Sequence, residues 1–223
     1  MGKSIFLTSI ALSFALSAFA QAPAPASDSG TAPTPAKPLQ YVDENGFSYT
    51  YPANWTEVDT KPMMPAMHMS VEDKASSSME KKGAACTNIP LMLRNEELKA
   101  QIIVLSMPYS CVGDAVKNTS LSAIASGIAE GLQKGLNIVD PHYDAYKLGT
   151  HEMWIVRSLA APKAMPEHML SQETACTLLK NALVCWMGFA ATPDGLHTME
   201  EGQVTLDGEK PFALVPATVF KKK

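Results

Sequence analysis

A chain of 223 residues with 18 Lys and Arg, 22 Asp and Glu and a formal net charge of −4 is long enough for one sizeable core. That balance excludes a basic field for nucleic acid and a polybasic membrane patch, and the closing Lys221-Lys222-Lys223 reads as a solvated tail.

Lys3, a largely apolar stretch over 5–16 and Ala18-Phe19-Ala20 read as a secretory signal peptide at 1–20, with Gln21 as the mature N-terminus. The apolar run is too short for a comfortable membrane span, so stable insertion after cleavage is not expected. The first cysteine is Cys86, which excludes a lipid-anchored leader. Residues 21–39 are rich in Ala and Pro and read as a disordered linker. The remainder, 40–220, is expected to be a single domain.

Phe47, Tyr49 and Tyr51 alternate with Ser48 and Thr50, which predicts a half-buried strand near a sheet edge, ended by Pro52. Pro62 and Pro65 mark a loop over 59–69, and 70–82 reads as a surface helix. Residues 89–94 and 101–107 read as an antiparallel pair with Cys86 and Cys111 at its outer ends. If those cysteines mark the register, the pairing centres between Leu98 and Lys99. The longest helix is expected over 118–136, with Leu121, Ile124, Ile128 and Leu132 as its apolar stripe. Beside that stripe run Ala123, Gly127, Gly131 and Gly135, which suggest close backbone approach to a sheet.

Further strands are expected at 137–147 and 150–159. Then comes the stretch that organises the chain, 171–190. With Lys180 and Asn181 as central turn residues, Cys176 faces Cys185 at a non-hydrogen-bonded pair, the favourable place for a cross-strand disulfide. One face of this hairpin carries Cys176, Leu178, Leu183, Cys185, Met187 and Phe189; the other carries Leu179, Ala182, Val184 and Trp186. Both are apolar, so the hairpin should lie centrally in a covered sheet. Four cysteines allow three connectivities, and the hairpin arithmetic favours Cys86–Cys111 with Cys176–Cys185, each worth roughly 3 kcal/mol in the chain-entropy picture. Pro193 opens a short helix, and strands on either side of Asp207-Gly208 finish the domain.

The opening Phe47-x-Tyr49-x-Tyr51-Pro52-x-x-Trp55 resembles the start of PsbP-like domains, and the order of elements over 41–206 is similar too. That family joins a photosystem II extrinsic subunit, a Ran-binding nuclear transport protein and many secreted bacterial proteins of unknown role. The resemblance implies an α+β fold, a central antiparallel sheet with helices on both faces in an α/β/α sandwich. It transfers no binding residue, because the motif's aromatics are core positions and the family's functions differ.

Chemistry is sparse. His151-Glu152 begins like a zinc-protease motif, but Ile155 stands where the second histidine belongs. Four of the five histidines lie within two residues of a methionine. Met64, Met67, His68 and Met69 in one proline-bearing loop look like Met165, His168 and Met169 in another. Thioether with imidazole suits Cu(I) in an oxidising compartment; the competing reading is that abundant methionine fills core gaps. The expectation is therefore a periplasmic or secreted, non-enzymatic domain that binds or assembles with an unknown protein partner of the cell envelope. A Cu(I)-binding protein is the alternative.

Overall fold

The structure, a computed structural model, describes residues 39–65, 85–112, 119–124, 136–148, 150–163, 166–200, 202–208 and 212–213. The expected leader at 1–20, the linker through residue 38 and the surface helix at 70–82 lie outside them.

The described chain forms eleven strands. These are β1 (Leu39–Val42), β2 (Phe47–Tyr51), β3 (Thr56–Glu57), β4 (Asn88–Asn95), β5 (Ala100–Pro108), β6 (Leu136–Leu148), β7 (His151–Pro162), β8 (Leu170–Leu178), β9 (Ala182–Ala190), β10 (Gln203–Leu206) and β11 (Phe212–Ala213). Two helices are α1 (Tyr109–Val112) and α2 (Pro193–Glu200). Seven strands make one antiparallel sheet in the order β3-β4-β5-β9-β8-β7-β6, and four make another, β1-β2-β10-β11.

This corrects the expected fold class. Among the described residues the chain is mostly strand in two antiparallel sheets, not one central sheet with helices on both faces. The expected edge strand explains the difference. β2 lies inside the four-stranded sheet, between β1 and β10, and its Phe47, Tyr49 and Tyr51 are buried in a cluster that also holds Leu91, Ile102, Val104 and Trp186 of the large sheet. A second sheet therefore supplies the apolar partner expected of helices. Of the long helix expected over 118–136, residues 121–124 are helical, 125–135 lie outside the described residues, and Leu136 already belongs to β6. Leu121 and Ile124 pack with Met107, Leu183 and the Cys176–Cys185 bridge.

β8 and β9 pair in the register the cysteines imply, Leu178 with Leu183 and Cys176 with Cys185. The closing bond runs from the Leu179 amide to the Ala182 carbonyl at 2.9 Å. The cysteines thus fall at a close pair, Cα atoms 4.1 Å apart, and form a disulfide. Every residue of β9 is buried. Trp186 stands on one face with Tyr49, ring centroids 6.2 Å apart, and Met187 and Phe189 stand on the other with Met92 and Ile103. Gly202 completes this packing: a Cβ there would meet the Tyr49 ring and hydroxyl oxygen, which donates to the Met199 carbonyl at 3.3 Å.

The β4–β5 register differs from the cysteine arithmetic. Asn95 pairs with Ala100, so the ladder centres between Glu97 and Leu98, and it shifts again between Asn88 and Leu91. Cys111 lies beyond the ladder on α1 and still reaches Cys86, Cα atoms 5.8 Å apart, because the helical turn carries the chain past the end of β5.

α1 also latches the central hairpin. The Tyr109 amide donates to the Asn181 carbonyl and its hydroxyl to the Leu179 carbonyl, both at 2.9 Å. Burial pushes the Tyr109 phenol up to about 12, and burial raises Tyr41, Tyr49 and Tyr51 as well. A phenol that resists ionising in the fold contributes stability that is whole below the unfolded value of about 10 and is lost as pH rises through the folded value. Urea unfolding followed from pH 9 to 12 should show stability falling across that window. Tyr109→Phe should start about 1 kcal/mol lower at neutral pH for the lost hydrogen bond and fall less steeply above pH 10.

Candidate functional site

At the β6 end of the large sheet, three charged or polar side chains sit in one cross-strand row. His142 of β6 pairs with Arg157 of β7, and Arg157 pairs with Glu173 of β8. Successive residues of a strand point to opposite faces, so Arg157 and Glu173 share the face of Met153, Ile155 and Ala175. Arg157 Nε and Nη2 both donate to the one oxygen Oε1 of Glu173, each at 3.1 Å. The Glu173 side chain is sealed at 1% exposure, while the Arg157 side chain keeps 18%, although its Nη1 is itself buried.

Over this pair lies a cleft of about 200 Å³ lined by His142, Arg157, Leu159, Ser171, Glu173 and Leu196 of α2, together with Ser158 and Gln172. Glycine on the next strand makes room for the helix that walls it. Gly188 is the cross-strand neighbour of Glu173, and a Cβ there would press on Trp186 and on Met199 of α2. Thr192 holds the start of α2, accepting the Gly195 amide at 3.0 Å through its hydroxyl. At the rim of the cleft, Leu159 pairs across the ladder with Val139, and both are nearly half exposed.

The sequence reading missed this row. Its signal was a charged residue inside each of two otherwise covered strands, Arg157 in β7 and Glu173 in β8. Either alone also suits a solvent face; only the register brings the two together.

The residues singled out beforehand fall elsewhere. Cys86, Cys111, Cys176 and Cys185 form two disulfides, and the structure leaves no free cysteine among the described residues. Met64 packs against the cluster of Met92, Met187 and Leu170, the last being next in sequence to Met169. Met169 and His168 are exposed, and His168 Nε2 lies 3.4 Å from Glu167. Met67, His68, Met69 and Met165 lie outside the described residues. Among the described residues, His, Cys, Asp and Glu form no group of three able to hold a metal ion. His151, the start of the zinc-like motif, lies 2.8 Å from Asp207 and joins β7 to the turn after β10.

One further polar group on the opposite face stands out. Gln101 is fully buried beside Phe189, and neither of its amide atoms has a hydrogen-bond partner among the described residues. An unsatisfied buried polar group costs roughly 1–3 kcal/mol.

The family models include none that matches this chain, and no curated protein matches it. Thirteen solved chains are similar to it. One is the solution structure of cyanobacterial PsbP (CyanoP) from Synechocystis sp. PCC 6803, with 12% sequence identity and a TM-score of 0.43 over 78% of this chain and 91% of that chain. A likeness at this level carries neither a site residue nor an activity across.

The buried pair defines its own test. Removing one partner of a sealed ion pair strands the other charge, at about 3–5 kcal/mol, whereas replacing both with apolar residues of similar size is often neutral or stabilising. In urea titrations, Arg157→Met should lower stability by that order, and Arg157→Met/Glu173→Leu should recover most of the loss. A double variant as unstable as the single one would remove the case for a pair held at a cost.

Proposed function

We propose that this chain is an exported, non-enzymatic domain that binds or assembles with a protein partner in the cell envelope, in the periplasm or as a secreted protein. The observation that carries the reading is the apolar strip of Val139 and Leu159 alongside the cleft, 48% and 46% exposed, at the end of the large sheet. Adjacent exposed apolar groups beside a concavity suit a docking surface.

β6 is the last strand of its sheet, but it carries Pro141 inside the register shift between Val139 and His142. Proline has no N–H to offer, and a bulge twists an edge away from pairing. The partner therefore docks on the side chains of this end and does not extend the sheet.

Two disulfides suit an oxidising compartment and support export, as does the leader at 1–20. The opening from Phe47 to Trp55 supports placing the domain with secreted PsbP-like proteins. A binding role fits the cleft better than catalysis does. Ser171 pairs with Leu159 in the row next to Arg157, two strands from His142. That separation is about 10 Å, beyond the hydrogen-bond reach a nucleophile and base require. Glu173 is sealed beneath Arg157 and presents no carboxylate to a substrate.

Capture from envelope extracts tests this reading. The tagged protein should retain a discrete partner that Val139→Asp/Leu159→Asp, folded by circular dichroism, fails to retain. Equal capture by both proteins would move the docking surface elsewhere.

The second reading is a periplasmic Cu(I) site drawn from Met64, Met67, His68, Met69, Met165, His168 and Met169. Its support is that Met64 packs against the buried cluster to which Leu170, the residue after Met169, also belongs. Competition against a Cu(I) chelator should then show Met64→Leu/Met169→Leu binding about tenfold or more weakly than the wild type. Equal affinities would leave these methionines as packing residues.

A further inference from the structure

We propose that the cleft beside β7 receives an acidic side chain of the docked partner, its carboxylate held by Arg157 and His142; the inference rests on reading this end of the sheet as the docking surface. The argument begins with which charge of the buried pair faces outward. Glu173 is 1% exposed and spends one oxygen on both Nε and Nη2 of Arg157, so it lies beneath the guanidinium and steadies it. Arg157 keeps 18% exposure towards the cleft. The imidazole of His142, its neighbour across the ladder, is exposed, and Ser171 adds a hydroxyl from the adjoining row. The polar wall thus brings a guanidinium, an imidazole and a hydroxyl together over a carboxylate that is 1% exposed.

That arrangement is complementary to a carboxylate. A planar guanidinium already fixed in orientation loses little entropy on accepting a further hydrogen-bonded partner. Because Glu173 cancels the long-range field, selectivity comes from short directed hydrogen bonds and not from steering. Leu159 and Leu196 line the rest of the cleft, so its occupant carries methylenes below the charged group. Glutamate has that shape, and the Val139–Leu159 strip accepts an apolar residue next to it on the partner.

The test uses the full chain labelled with 15N and N-acetyl-glutamate N-methylamide as the probe, with N-acetyl-glutamine N-methylamide as the uncharged isostere. The glutamate compound should shift the amide signals of Leu159 and Ser171 at saturable concentrations and bind at least about tenfold more tightly than the glutamine one. His142→Ala, which leaves the buried pair intact, should weaken the glutamate compound several-fold. Arg157→Met/Glu173→Leu should erase the preference between the two. Equal binding of both compounds, shifts confined to other residues, or a preference that survives the double variant would each overturn the proposal. If the carboxylate preference fails while Val139→Asp/Leu159→Asp still abolishes partner capture, the docking surface stands and only its chemistry is wrong. If capture survives those substitutions, the underlying reading fails.

Discussion

The structure depends on one strand being apolar on both sides. β9 is buried along its whole length, and its alternate side chains serve two separate cores. Ala182, Val184 and Trp186 face the small sheet and α2, while Leu183, Cys185, Met187 and Phe189 face the opposite layer. A strand of this kind is stable only when both faces are covered. The two layers are therefore required by the sequence of β9 itself. Trp186 packs against Tyr49 of the second sheet, within the cluster that joins the two sheets. The disulfide and the Tyr109 latch both hold the turn end of the same strand, so its register is fixed where the hairpin closes.

Against that centre, the polar residues inside the large sheet are exceptions with a cost. On one face Arg157 Nε and Nη2 donate to Oε1 of Glu173. On the other, Ser158 donates to Gln172 at 2.7 Å, and Gln172 donates in turn to Thr174. These bonds form between neighbouring strands or along one strand, so the ladder that pairs the backbone also satisfies the side chains. Gln101, one strand beyond Phe189, has no such neighbour. We have no physical account of why an amide is kept there.

Local pairings were legible in the sequence and distant ones were not. The β8–β9 register followed from two cysteines and a two-residue turn, all within twenty residues. The β4–β5 hairpin was legible as a pair, but its centre was misplaced by one residue, because Cys111 sits on a helical turn outside the ladder and carries no register information. The alternation of Phe47, Tyr49 and Tyr51 identified a strand without naming its partners, since aromatic periodicity is the same in either sheet. The helices expected on both faces came from the family resemblance, and that ambiguity left no signal in β2 to place a second sheet there. The charged row failed for a related reason: Arg157 and Glu173 are sixteen residues apart, with an intervening turn whose length does not itself set which residues meet.

The small sheet has a consequence for how the chain reaches its final form. β2 bonds to β10, joining Phe47 to Leu206 and Thr50 to Gln203 across most of the domain. The hairpins of the large sheet close over short loops and lose little chain entropy in doing so, whereas this pairing closes over more than 150 residues. A chain emerging N-terminus first, from a ribosome or through a membrane, can build its hairpins as they appear. Tyr49 and Trp186 can already stack, but β2 has no strand to pair with on its β10 side until residue 206 is out. The aromatic face of β2 is thus incompletely sheltered through most of synthesis or export, and the second layer is the last part of this fold to be secured.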